Sequence, residues 1–384
     1  MSQNILITGA AGYIGGSIVA DFLYKHSTEV YRKQIFAAVR SEEQAEALSS
    51  LGINVLKLDL TDEQVATDSI TSNQINVVIH TASSIDPGLA FPLINALAKQ
   101  GETTGKATHF IHTSALSAFY EKAGWPPTVN QDTDPVFETE KELANSYPVR
   151  KADVAIIEHA EARGVDLSTL VDEAKDGRGS GPWNQLSVVL PGLVRASLKL
   201  GKVYKFDENI TVQGVHISDL TALYWQIIKA ILHNETIPSG TEGYYFAVAH
   251  DIDVWEFLDH LATAFKTRGL ATDERPEVFP SDDFAADAIG VPVQFLGPLW
   301  KNGGSVTATR PQSIGWKPEW DNAQFLDHVD HQINDVLELG KAKSSLIDSL
   351  FAAVGEMSVE NSYLNFAKNK KVQIVSKGKA AYCI

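Results

Sequence analysis

The sequence holds a single cysteine, Cys383, in 384 residues. One thiol cannot build an intrachain disulfide framework, so a disulfide-stapled scaffold is excluded and the composition fits a reducing compartment. Basic residues are also in deficit: 32 Lys and Arg stand against 48 Asp and Glu, for a formal net charge of −16. A field of that sign repels phosphate, which argues against nucleic acid or anionic membrane as a general partner while leaving room for a local basic pocket. No stretch approaches the ~20 consecutive apolar residues of a membrane span. The opening MSQNILITGAAG shows neither the basic start nor the apolar core of a secretory signal. The expectation is a cytoplasmic protein that handles a small molecule and binds neither nucleic acid nor membrane; a homodimer is compatible with it. No metal is expected, because His80 and His112 have no carboxylate or cysteine at ligand spacing and read as buried, hydrogen-bonded histidines.

What remains is an ordinary globular composition, 44 % hydrophobic and 21 % charged, sufficient for one large domain or two modest ones. The first half alternates short apolar runs with helical patterns. Strands are expected at Ile5–Thr8, Ile35–Val39, Asn54–Leu58, Val77–His80, Thr108–His112 and Asp166–Val171. Their runs are dense in aliphatic residues rather than alternating, as for strands covered on both faces. A polar helix is expected over Ser41–Ser50 and a long one over Glu140–Arg163, after a Pro- and Trp-bearing loop. The pattern predicts an α/β fold, a Rossmann doubly wound parallel sheet with a smaller C-terminal substrate-binding cap. Residues 1–176 form the dinucleotide-binding part, rejoined by a segment near 205–235; 177–340 are mainly cap. A tail over 341–384, with a helical pattern at Ser345–Val354 and a strand pattern at Lys371–Val375, has no assigned role.

Thr8-Gly9-Ala10-Ala11-Gly12-Tyr13-Ile14-Gly15 follows the first strand and opens a helix. In that context the glycines allow a tight turn, a close approach to a pyrophosphate and close helix packing, while the helix N-terminus offers unpaired N–H groups. A tight turn without a ligand is the alternative. The second strand ends in Arg40-Ser41, where an NAD-binding protein commonly has an acid. Arg40 can pair with a 2′-phosphate, which favours NADP (NADPH) over NAD; otherwise it is a surface arginine ending a strand. Asp59 and Leu60 are placed to flank the adenine, and Thr81, Ala82 and Ser83 to line the ribose and phosphates. Asp59 reads equally well as a helix cap, and Ser83 as a strand end.

Tyr147 and Lys151 stand four residues apart, which sets a phenol and an ammonium on one helical face. A phenol with a solution pKa of about 10 exchanges protons near neutrality only if its anion gains roughly 3 units, ~4 kcal/mol, of stabilisation. A nearby lysine and an oxidised nicotinamide ring supply charge of that sign.

These motifs resemble the extended short-chain dehydrogenase/reductases, of the NAD-dependent epimerase/dehydratase kind, and most of all the dihydroflavonol-reductase-like carbonyl reductases. Gly214-Val215-His216-Ile217-Ser218-Asp219-Leu220 and Ser313-Ile314-Gly315-Trp316-Lys317-Pro318 resemble two later stretches of that group, and the likeness spans residue 4 to about 338. The resemblance implies Tyr147 as proton donor, Lys151 on the nicotinamide ribose, and a hydroxyl at the end of the fifth strand. Here Ala115 takes the usual serine position, so Ser114 is the nearest candidate, with Thr113 and Ser117 as alternatives. Relatives carry prolines and an aromatic residue after the sixth strand; this chain has the charged run from Asp172 to Asp176, read here as a solvated loop rather than a substrate contact. His216 and Asp219 read as a helix cap and a brace. Trp125, Pro126, Trp183 and Trp300 suggest a bulky, partly apolar substrate, or else core. The implied activity is NADPH-dependent carbonyl reduction. The alternatives are a nucleotide-sugar epimerase or dehydratase using NAD, and a cofactor-binding non-redox isomerase, lyase or nucleotide-sensing regulator.

Overall fold

The computed structural model describes residues 3–344 apart from Glu173, together with Leu346 and Phe351. The patterns expected at 345–354 and 371–375 lie outside the described residues. Strands β1 (Asn4–Thr8), β2 (Ile35–Val39), β3 (Asn54–Lys57), β4 (Ile75–His80), β5 (His109–Ala115) and β6 (Asp166–Asp172) lie close to the expected positions. Then follow β7 (Ala174–Asp176), β8 (Tyr204–Lys205), β9 (Thr211–His216), β10 (Tyr244–Phe246), β11 (His250–Asp253) and β12 (Glu277–Val278). The main sheet runs in the order β10-β6-β5-β4-β1-β2-β3 with every pairing parallel. The chain therefore winds outward from β1 in one direction and from β4 in the other. The crevice at the carboxyl ends of these two strands is where ligands of open α/β sheets bind.

Both faces of this sheet are covered, which is why β2 and β4 are buried at every position and read as unbroken apolar runs. Helices α1 (Tyr13–Tyr24), α2 (Glu42–Ser49), α3 (Glu63–Ser72), α4 (Phe91–Thr104), α5 (Val136–Glu142), α6 (Pro148–Arg163), α7 (Val189–Leu200) and α8 (Ile217–His233) follow in chain order. One apolar cluster joins Leu6, Val78 and Phe110 of the sheet to α4 and α6. Another, on the opposite face, joins Ile5, Ile7 and Ile79 to α1 and α8, so the chain returns to the sheet well after residue 177. A third gathers Leu190 and Val194 of α7 with Phe257, Phe265, Trp300 and Phe325, and forms the core of the later segments.

Three details depart from expectation. β5 runs on through Thr113, Ser114 and Ala115. The expected helix from Glu140 to Arg163 divides: Tyr147 is extended (φ −150°, ψ 131°) and Pro148 begins α6. Proline at the first helical position sacrifices no hydrogen bond, and its ring keeps the preceding residue out of helical geometry. The charged run after β6 is no solvated loop. It steps from β6 into β7, which pairs with β9 in a small sheet, and both Asp172 and Asp176 are buried.

Candidate active site

The glycine turn is built so that side chains are kept out of it. Gly9 has φ +64°, and a Cβ there would stand 2.8 Å from the Thr81 carbonyl oxygen. A Cβ on Gly15 would stand 2.4 Å from the Gly9 carbonyl oxygen. Thr81 Oγ1 donates to the Thr8 carbonyl at 2.8 Å and so ties the ends of β1 and β4 together beneath the turn. Gly12 caps α1 without a side chain, leaving the first N–H groups of the helix to whatever occupies the crevice. This cradle suits a diphosphate by its geometry and by the sign of the helix end. The Tyr13 side chain is a strut: its buried hydroxyl donates to the carbonyl oxygens of Asp176 and Gly177, at 2.9 and 2.8 Å. Ile14, one residue on, is half-buried, and Thr8 Oγ1 is bonded to His80 Nδ1 at 2.9 Å.

Along the far wall, several hydroxyls and acids serve the backbone. Ser41 caps α2, accepting from the Gln44 N–H at 3.3 Å. Asp59 is exposed and closes a turn, accepting from the N–H and hydroxyl of Thr61 at 2.9 and 2.6 Å, while Asp62 caps α3. Ser83 Oγ accepts from the N–H groups of Ile85 and Asp86 at 3.2 and 3.1 Å. Leu60 is buried and Ala82 exposed. Arg40 differs from its neighbours. It is exposed at the end of β2, and no carboxylate among the described residues pairs with its guanidinium.

Because β5 continues to Ala115, strand alternation sends His112 and Ser114 to one face and Thr113 and Ala115 to the other. His112 Nε2 donates to Asp153 of α6 at 2.8 Å, and the Ser114 hydroxyl donates to the other oxygen of the same carboxylate. All three are buried, so the Ser114 hydroxyl is committed inside the core. Thr113 Oγ1 is bonded to the buried Tyr224 hydroxyl at 2.6 Å. Ser117 lies in the turn beyond, and its carbonyl accepts from Asn302 Nδ2 at 2.9 Å.

Tyr147 is half-buried at the cap of α6, and Lys151 is exposed one turn later, its N–H donating to the Tyr147 carbonyl at 3.2 Å. They therefore span a cap and a first turn rather than one continuous helical face. Between them in sequence sits Arg150, buried, with its guanidinium 5.4 Å from the Tyr147 ring centre and 5.3 Å from that of Trp125. Arg150 donates to the carbonyl oxygens of Ala118 and Ala123 and to Ser146 Oγ, fixing the turn after β5 against α6. Burial pushes its pKa down, and the Glu140 carboxylate and then Tyr147 push it back up.

Beyond β6, Lys175 Nζ reaches Asp172 at 2.6 Å, and Asp176 faces His250 Nε2 at 3.4 Å. His216 caps α8, accepting from the Ser218 N–H at 3.2 Å, and Asp219 accepts from the N–H groups of Glu319 and Trp320 at 3.0 and 2.9 Å. Trp125 and Trp300 are buried, their indole N–H groups donating to Val129 and Val189 carbonyls; Pro126 and Trp183 are half-buried. A cavity of about 160 Å³ opens beside Trp300, lined by Val188, Pro191, Arg195, Ile289 and Lys341 among others.

A model described as the NAD dependent epimerase/dehydratase family matches residues 5–238, from β1 through α8. The chain belongs to this family. Members bind NAD(P) and act as oxidoreductases or epimerases. Among solved structures, the fold is similar to UDP-glucose 4-epimerase of Thermotoga maritima, with a TM-score of 0.59 at 14% identity over 87% of this chain and 100% of that one. It is also similar to vestitone reductase of alfalfa, with a TM-score of 0.56 at 18% identity over 88% and 99%. The Bordetella bronchiseptica enzyme WbmH, solved with NAD+, gives 0.56 at 17% identity over 88% and 100%. At such identities the likeness is one of fold. No curated protein matches the sequence significantly. No helix among the described residues is long and apolar enough to cross a membrane.

Arg150 and Asp153 were not apparent as site residues from sequence, although a signal exists. Both lie at helical spacing among Val149, Ala152, Ile156 and Ile157, on the buried face of α6. A charge on such a face demands a partner.

Proposed function

We propose that this family member is an NADPH-dependent oxidoreductase that reduces the carbonyl of a bulky, partly apolar small molecule, with Tyr147 as the proton donor. The observation that carries the reading is the arrangement at the start of α6. The Tyr147 phenol has the Arg150 guanidinium 5.4 Å from its ring and the exposed Lys151 one turn on. Positive charge favours the phenolate that remains once the proton has gone to the substrate oxygen. The bound nicotinamide supplies the hydride. The glycine cradle at β1 and β4 holds the diphosphate, Lys151 holds the ribose, and Arg40 takes a 2′-phosphate, which supports NADP over NAD. Because Ser114 is engaged with Asp153, the substrate oxygen relies on Tyr147. Asn302 ties the segment after Trp300 to the turn after β5.

The test is NADPH oxidation over a panel of aromatic and aliphatic carbonyls by wild type and Tyr147→Phe. Turnover is expected to fall by about two to four orders of magnitude, the usual worth of a positioned acid, with NADPH affinity nearly unchanged. Equal turnover would remove Tyr147 from this role. NADPH binding without oxidation of it by any carbonyl would replace the reductase with a non-redox or sensing protein.

A further inference from the structure

The cavity of about 160 Å³ beside Trp300 lies between α7, the segment Ile289–Val291 and the stretch 341–344. Its size is that of a single six-membered ring, since an apolar cavity of about 150 Å³ holds benzene. Val188, Pro191, Ile289 and Trp300 give it an apolar wall, and Arg195 and Lys341 bring two cations to it. No Asp or Glu stands among the described residues that line it, in a chain whose net charge is −16. Neither cation has an ion pair or a side-chain hydrogen bond among the described residues. The start of α7, which has no side-chain cap, adds charge of the same sign. Uncommitted positive charge beside an apolar surface is the complement of an anion with an apolar body.

Two features hold this space open. Lys343 donates its backbone N–H to Asn184 Oδ1 at 3.0 Å and lays its ammonium 4.3 Å from the Trp183 ring centre, which pins the stretch 341–344 to the loop before α7. That stretch follows helix Val329–Leu339 and lies past residue 338, where the resemblance of the sequence to its relatives ends. Inside α7, Gly192 leaves the wall bare. A Cβ there would stand 3.4 Å from Trp300 and 3.6 Å from Ile289, ordinary contact distances, so packing does not demand glycine. Glycine is less favourable than alanine in a helix interior; what it provides here is room against the two apolar side chains. The Ser187 hydroxyl donates to the Lys175 carbonyl at 2.9 Å, so donation to an anion falls to the cations.

We propose that this cavity is a binding site for a small monocarboxylate, its ring or short branched chain against Trp300 and Ile289 and its carboxylate on Arg195, with Lys341 as the second cation. A guanidinium offers a carboxylate two parallel hydrogen bonds, and the two cations offset locally the repulsion that the rest of this acidic chain presents to an anion. A ring with a neutral polar end fills the same space but leaves both cations unpaired. The site is separate from the dinucleotide crevice. The glycine turn, Arg40, Tyr147 and Lys151 contribute nothing to its lining, so the proposal does not depend on the reductase reading.

The test uses binding rather than turnover. The full chain is titrated with para-fluorobenzoate, followed by the fluorine resonance of the probe, and with para-fluorobenzyl alcohol as its neutral counterpart. Wild type is expected to bind the alcohol at least about ten-fold more weakly, the scale of hydrogen bonds to a charged group. Arg195→Met should lose most of this preference, and an unchanged preference in a folded variant overturns the proposal. Gly192→Ala should raise Tm, because the helix gains, yet bind the benzoate about five-fold more weakly, because its methyl takes space from the ring. Saturating NADP+ should leave the benzoate affinity unaltered. No binding by wild type at millimolar probe, or equal affinity for acid and alcohol, overturns the proposal whether or not either variant folds. Mutual exclusion of benzoate and NADP+ would place the carboxylate in the crevice and overturn the separate site.

Discussion

Asp153→Ala puts the buried link between β5 and α6 to a direct test. The carboxylate is fully buried and accepts from His112 Nε2 at 2.8 Å and from the Ser114 hydroxyl. Its removal leaves two donors of β5 unpaired in dry surroundings, at about 1–3 kcal/mol each. Part of this is returned. The Glu140 carboxyl is held well above its usual range, by burial first and by the Asp153 charge second, and losing that charge relieves it. A net loss of about 2–4 kcal/mol follows. At about 2.1 cal/mol/K of unfolding entropy per residue, a chain of 384 residues carries ~0.8 kcal/mol/K, so Tm falls by roughly 3–5 °C. Asp153→Asn keeps the shape. Its oxygen accepts from His112, and its amide donates to Ser114 Oγ, reversing that bond, for a loss of about 1 kcal/mol or less. Scanning calorimetry of the three proteins at neutral pH decides the matter. An alanine variant within about 1 °C of wild type, or an asparagine variant as damaged as the alanine one, would refute the reasoning.

The remaining predictions concern acid stability and the cofactor. His80 is pushed down to about 3 from its ordinary 6.5, by burial first and by His112 second. Below pH 6.5 the unfolded chain takes up a proton that the folded one refuses, so this stability is complete above that pH and lost on descent toward 3; at pH 5 the loss is ~1.5 × 1.36, about 2 kcal/mol. The urea midpoint should therefore be lower at pH 5 than at pH 7, and His80→Gln should flatten the difference; a slope unchanged in the variant would assign it to other groups. Gly15→Ala drives a Cβ to 2.4 Å from the Gly9 carbonyl, so dinucleotide affinity should drop at least about ten-fold, ~1.4 kcal/mol, in a fluorescence titration; unaltered affinity would remove the turn from the binding site. Arg40→Asp should move preference from NADP toward NAD, and equal use of both before and after would contradict the assignment of the 2′-phosphate.

The sheet was legible because its strands carry their own evidence. Ile35–Val39 is apolar throughout and buried at every position, and the glycine turn sits where β1 ends. β5 was read short because Thr113 and Ser114 are polar, and their partners, Tyr224 and Asp153, lie 111 and 39 residues away. The break at Tyr147 did have a local signal, since a proline starts a helix more readily than it continues one; the periodicity on either side masked it. The run after β6 misled for another reason. Charges normally stay in water, and only the tertiary fold brings Tyr13 over the Asp176 and Gly177 carbonyls, across more than 160 residues. Local spacing set Tyr147 and Lys151 one turn apart within an expected helix from Glu140, not at the head of α6, and Arg150 depends on carbonyls at Ala118 and Ala123 that no pattern foretells.

Those two carbonyls tie the later history of the chain to one planar cation. A lysine has neither the fork nor the reach to serve Ala118, Ala123 and Ser146 together. Insertions or deletions between 118 and 123 would pull an acceptor off the guanidinium and strand its charge beside the phenol. Redesign of this turn to admit a different substrate thus has to keep its register with α6, and variation is better sought in the segment after Ala123, where the tether ends.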